Sequence, residues 1–169
     1  MKIIDILKKG EHTLSYEVFP PKKETSYESV KAATEEIAKL SPSFMSVTYG
    51  AGGGTSKYTL DIARNLHDKY DVPMLAHLTC VSSDRATVQE RIRELHEAGI
   101  ENIMALRGDL TPELEATDRS KWEYRYAIEL IREIKESGYD FCIGAACYPE
   151  VHPESPSQRE DIKRLKEKV

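Results

Sequence analysis

Five short apolar, β-prone runs, at about residues 14–19, 44–48, 73–78, 102–106 and 141–147, alternate with segments of helical period at about 26–39, 56–69, 84–98, 121–136 and 158–168. Strands that alternate with covering helices must pair in parallel. That leaves an open doubly wound sheet or a (β/α)8 barrel. An open sheet usually announces its ligand through a glycine-rich first loop, whereas the first loop in this chain, Phe19-Pro20-Pro21-Lys22-Lys23, has no glycine. Polar groups stand instead at the end of every apolar run, which favours an α/β fold of the TIM (β/α)8 class. A complete barrel takes roughly 250 residues, so 169 residues carrying five βα units read as a single domain, residues 1–169, that is C-terminally incomplete.

Local signals mark the helix ends. Thr25 with Glu28, Ser120 with Glu123 and Ser157 with Glu160 each show the hydroxyl-x-x-Glu spacing of a capping box, in which the two residues satisfy each other's backbone donors. Gly99 and Gly138 follow the last apolar positions of their helices and predict C-terminal stops. Val30, Ala33, Ile37 and Leu40, then Val88, Ile92 and Leu95, then Ala127, Leu130, Ile131 and Ile134 recur at the period that lets a helix cover a sheet.

With 40% hydrophobic and 31% charged residues the chain can bury one core. Its net charge of -5 supplies no basic stripe for a phosphate backbone, so no nucleic-acid partner is expected. Cys80, Cys142 and Cys147 lie in or beside apolar runs and read as reduced thiols, with no metal-ligand spacing among them. The N-terminus lacks a signal-peptide core, and no apolar run reaches membrane-spanning length. The expectation is a cytoplasmic protein without a membrane partner.

The strand ends carry the chemistry. A period of two puts Ser15, Glu17 and Phe19 on one face of the first strand. In a barrel that face is the interior, where a carboxylate loses water and can serve as a general acid; an edge-strand Glu paired with Lys22 or Lys23 is the plainer reading. Gly108 lets the backbone turn sharply between Arg107 and Asp109, whose opposite charges suit a polar heterocycle or a local ion pair. His77 suits a hydrogen-bonded core position as well as a ligand contact, and Thr48 and Tyr49 suit ordinary strand positions. The glycine-rich stretch Gly50–Lys57 fails the phosphate-loop pattern because Tyr58 follows the lysine, and reads as a loop opening a helix. In Tyr148-Pro149-Glu150-Val151-His152-Pro153 two prolines fix the path, and an aromatic with an imidazole four residues on can line a flat cofactor.

Taken in order, Glu17-Val18-Phe19-Pro20-Pro21, Val47-Thr48-Tyr49-Gly50-Ala51, His77-Leu78-Thr79-Cys80, Leu106-Arg107-Gly108-Asp109-Leu110 and Tyr148–Pro153 make the chain resemble methylenetetrahydrofolate reductase, from about Ser15 to its end. The resemblance implies residues 1–169 are the N-terminal part of a catalytic barrel. It implies FAD, contacted by Thr48, Tyr49, Ala51, His77, Arg107, Gly108, Asp109, Ala127, Tyr148, His152, Asp161 and Lys168; Arg164 and Glu167 depart from the family pattern. It also implies NAD(P)H as electron donor and a folate substrate, 5,10-methylenetetrahydrofolate, reduced to 5-methyltetrahydrofolate. Glu17 resembles the family's general acid. Asp109 matches the acidic residue that binds folate and stabilises developing positive charge. A homo-oligomer, or a partner supplying the rest of the barrel, is the expected assembly. Two other readings remain: another barrel enzyme such as a phosphate-binding aldolase or synthase, and a non-catalytic fragment that needs a partner.

Overall fold

The computed structural model describes the chain apart from Lys22, Gly50–Thr55, Ser82, Thr111 and Pro149, and apart from the side chains of Ser56 and Glu113. The strands are β1 (Ser15–Val18), β2 (Phe44–Val47), β3 (Met74–Thr79), β4 (Asn102–Leu106) and β5 (Cys142–Ala145). Helices α2 (Tyr27–Ala38), α3 (Ser56–Tyr70), α4 (Arg85–Glu97), α6 (Ala127–Glu136) and α7 (Gln158–Lys168) follow them in turn. Two short helices, α1 (Ile3–Lys8) and α5 (Pro112–Glu115), complete the elements used below. The expected βα alternation is therefore present in all five units.

The strands form one sheet in the order β1-β2-β3-β4-β5, every pair parallel. Sequential order without a switch point is the winding of a barrel wall, not of a doubly wound sheet. One face of the sheet makes the core. Val18, Met45, Val47, Met74, Ala76, Leu78, Ile103 and Ala105 pack against Ala38, Ile62, Leu66, Val88, Ile92, Leu95, Leu130 and Ile134 from the helices. Burying each of the larger aliphatic side chains stabilises the fold by about 1.5–3 kcal/mol.

The other face is the barrel interior. Register aligns Glu17, Ser46, Leu75, Asn102 and Cys142 across the five strands, with His77, Met104 and Gly144 in a second row. Helix α1, too short to show a period in the sequence, closes the N-terminal end of this face. The Asn102 side chain accepts from the Ile3 N–H (2.8 Å) and donates to the carbonyls of Met1 and Met74 (both 3.1 Å). The N-terminal amine pairs with Glu101, and Lys2 with Asp140 at 2.5 Å.

The stops at Gly99 (φ +74°) and Gly138 (φ +78°) are as expected. Two of the capping boxes are not. A 3-10 turn at Glu24–Ser26 moves the start of α2 past Thr25, and Ser120 is drawn into a turn capped by Asp118. Only Ser157 caps its helix, accepting from the Glu160 N–H. In α2 the buried positions are Thr34 and Ala38, flanked by half-buried Val30 and Ile37, while Ala33 faces water and Leu40, also exposed, lies past the helix end.

Candidate active site

The polar strand ends converge on one cleft of about 1450 Å³ at the C-terminal edge of the sheet. Its walls include Thr48, Tyr49, His77, Arg107, Gly108, Asp109, Ala127, Tyr148, His152, Asp161 and Lys168. Every cofactor-contact residue expected from the sequence lies there except Ala51, which falls outside the described residues. Phe19, 67% exposed, forms part of the rim.

Glu17 sits beside the cleft wall and reaches it through His77. Its Oε2 lies 3.4 Å from His77 Nε2 and accepts from the Ser46 hydroxyl at 3.3 Å. The side chain is half exposed, so the burial expected of a closed interior is not present in this five-stranded wall. His77 is far less accessible, and burial lowers its pKa while the Glu17 carboxylate pulls it back up. The ring is therefore neutral at neutral pH. Ser46 could have been found from the sequence: it is in register with Glu17 on a strand of period two.

After β4 the chain turns at Gly108, with φ +94°. The Arg107 carbonyl accepts from the Cys80 and Val81 N–H groups, at 3.2 and 2.9 Å, and locks this turn to the end of β3. The Arg107 guanidinium is held not by Asp109 but by Glu154, in a bidentate pair of 2.8 and 3.0 Å. That pairing raises the Arg107 pKa and lowers that of Glu154. Asp109 stands exposed at the cleft wall. Cys80 is fully buried and its thiol is pushed up to about 12, which makes it an inert core residue.

The segment after β5 is tied down by its own backbone. Asp161, in the first turn of α7, accepts from the His152 N–H at 2.8 Å, and the His152 carbonyl accepts from the Ser155 N–H, also at 2.8 Å. Bonds from the Ser155 hydroxyl and the His152 N–H hold the Asp161 carboxyl below its ordinary range. Val151 adopts φ +95°, a strained conformation for a β-branched residue. The Tyr148 and His152 rings meet edge to face, 4.7 Å apart at 88°, so they form a corner, not a flat wall. Lys168 donates to the Ala146 carbonyl at 3.0 Å. Arg164, off the family pattern, lies over the Tyr126 ring at 4.9 Å and also lines the cleft. Glu154 was not singled out in the sequence, because its partner stands 47 positions away.

A parallel sheet wound in chain order, helices on one side and a ligand-sized cleft at the strand C-termini define five consecutive βα units of a (β/α)8-barrel wall. The chain belongs to the methylenetetrahydrofolate reductase family, whose sequence profile matches residues 2–169. It is 37% identical over 160 residues to the 5,10-methylenetetrahydrofolate reductase of Pectobacterium carotovorum subsp. carotovorum, covering 95% of this chain and 51% of that one. The Escherichia coli (strain K12) protein of the same name is 36% identical over 160 residues, with 95% and 52% covered. The chain thus spans about half the length of these curated relatives. Among solved structures, a Ruminococcus gnavus sialic acid aldolase superposes with a TM-score of 0.60 at 13% identity, covering 99% of this chain and 52% of the aldolase. At that identity the likeness is one of fold.

Proposed function

We propose that residues 1–169 form the first five βα units of a methylenetetrahydrofolate reductase catalytic barrel, which uses NAD(P)H and FAD to reduce 5,10-methylenetetrahydrofolate to 5-methyltetrahydrofolate. The observation that carries this reading is the meeting, on one cleft, of the strand-end residues matching the family's FAD contacts. The donor set suits a dinucleotide. Cationic Arg164 and Lys168 line the α7 side, Ala127 and Ile128 give apolar surface, and Arg107 offers a planar guanidinium. The cleft volume also exceeds the roughly 300–1,000 Å³ of a single small-ligand pocket, as a dinucleotide beside a second reactant requires.

When bound, FAD supplies the hydride. Glu17 is the group placed to pass a proton to the departing folate nitrogen as the five-membered ring opens. Its Oε2 is occupied by Ser46 and His77, and its Oε1 has no hydrogen bond among the described residues. That oxygen is left to face a substrate. The neutral His77 ring keeps positive charge away from this carboxyl, and Asp109 offers a negative charge to the iminium cation that ring opening produces.

Two measurements test the proposal. Purified chain titrated with FAD should quench flavin fluorescence saturably; no quenching at any concentration contradicts the cofactor reading. In the full-length reductase carrying these residues, Glu17→Gln should abolish folate reduction while flavin reduction by NAD(P)H stays nearly intact. Stopped-flow traces with both half-reactions slowed equally would remove Glu17 from the acid role.

A further inference from the structure

Two groups that face the cleft, the Arg107 guanidinium and the His152 ring, are both held by one residue that lies 44% exposed beside them. We infer that Glu154 is a positioning residue: its carboxylate orients Arg107 while its backbone N–H sets the tautomer of His152, so that both present hydrogen-bond donors to the ligand.

The Glu154 N–H donates to His152 Nδ1 at 3.1 Å. A ring nitrogen that accepts carries no proton, so the neutral imidazole keeps its hydrogen on Nε2. The His152 backbone is fixed by its N–H bound to Asp161 and its carbonyl bound to Ser155, and the ring itself packs edge to face on Tyr148. Arg107 is filled in a similar way. Of the five N–H bonds of a guanidinium, two point to the Glu154 oxygens and Nε–H to the Gly108 carbonyl at 3.3 Å, which leaves two on the terminal nitrogens. Arg119 Nη1 lies 3.9 Å from Glu154 Oε2 and adds a second cation beside the carboxylate. The groups left over are all donors. The matching ligand edge is one built of acceptors, and on the reading above it belongs to the bound cofactor.

The arms separate by substitution at one position. Glu154→Ala removes the carboxylate and keeps the N–H, Glu154→Gln keeps the length and one acceptor, and Glu154→Pro removes the N–H as well. In ligand-free chain, nitrogen-15 spectra should show His152 as the Nε2–H tautomer in the wild type and in the Ala and Gln variants, and as a mixture in Glu154→Pro. The Arg107 Nε signal should move in Glu154→Ala. FAD affinity, read by flavin fluorescence, should fall about tenfold in Glu154→Ala, recover in part in Glu154→Gln, and fall furthest in Glu154→Pro. An Nδ1–H tautomer in the wild type, or unchanged FAD affinity in a folded Glu154→Ala, overturns the inference. If Glu154→Pro does not fold, as judged by circular dichroism, the wild-type tautomer and the Ala and Gln pair still decide it. If the wild type itself takes up no FAD, the flavin reading fails, and the ligand-free spectra judge the positioning role alone.

Discussion

A Cβ placed on Gly108 would lie 3.0 Å from the Thr79 Cβ and 3.2 Å from Val81 Cγ1, in a backbone conformation that L side chains rarely adopt. Conformation and space thus both demand glycine between Arg107 and Asp109. Gly108→Ala is expected to lower stability by about 1–2 kcal/mol from the left-handed backbone alone, with the contact to β3 adding to it. Urea unfolding at pH 7 checks this, and an unchanged midpoint would mean the turn relaxes freely. His77 supplies a second test. Its neutral form is the folded one, with a pKa below the usual 6.5, so protonation opposes folding. The stability tied to it is complete above about pH 6.5 and is lost as pH falls through the folded value. Because Glu17 pulls the other way, Glu17→Gln should lower the His77 titration further and enlarge that loss. Imidazole proton shifts followed against pH measure both, and an unmoved His77 titration would show that the two groups do not meet in solution.

Helices α2 and α3 are joined by one carboxylate. Glu35 accepts from Asn65 Nδ2 (3.0 Å), Lys69 Nζ (2.7 Å) and the Tyr70 hydroxyl (2.9 Å), and these bonds hold its pKa down to about 2 from 4.5. A depressed carboxyl stabilises the fold above its unfolded value. Its contribution is therefore present above about pH 4.5 and disappears as pH falls toward about 2. Glu35→Gln should weaken the chain at pH 6 and flatten its loss of stability between pH 4.5 and 2. Denaturant midpoints collected across that window test the sign, and parallel curves for the two proteins would argue against the clamp. A similar junction joins α4 to α6, where buried Glu133 accepts from Gln89 at 2.6 Å and lies 3.4 Å from Arg85.

The sheet ends on β1 and β5, neither of which pairs on its outer edge with a strand among the described residues. Beside those edges the interior face leaves Glu17 half exposed and Phe44, Met104 and Leu106 only partly covered. Open parallel edges with apolar surface seek partners. The 169-residue chain in isolation should self-associate, and its weight-average mass in analytical ultracentrifugation should rise with concentration. A monomer throughout the accessible range would mean that these edges are covered by the chain itself.

The βα alternation and the strand-end motifs were legible because they rest on local periodicity and on residues a few positions apart, which folding preserves. The winding followed as well: a first loop without glycine and polar groups at every strand end argued for a barrel wall, and the sheet order agrees. The caps at Thr25 and Ser120 misled because neighbouring polar residues compete for the same backbone donors, and Glu24–Ser26 and Asp118 resolve that competition as turns. Leu40 fits the helical stripe of α2 but falls beyond the end of that helix. What the string of residues could not contain was distance. The Glu17 environment depends on Ser46 and His77, and the Arg107 partner is Glu154, each many positions away. Charges and hydroxyls of this kind have no pattern that names their partners, because the pairing is set by how five strands align and where the loop after β5 comes to rest.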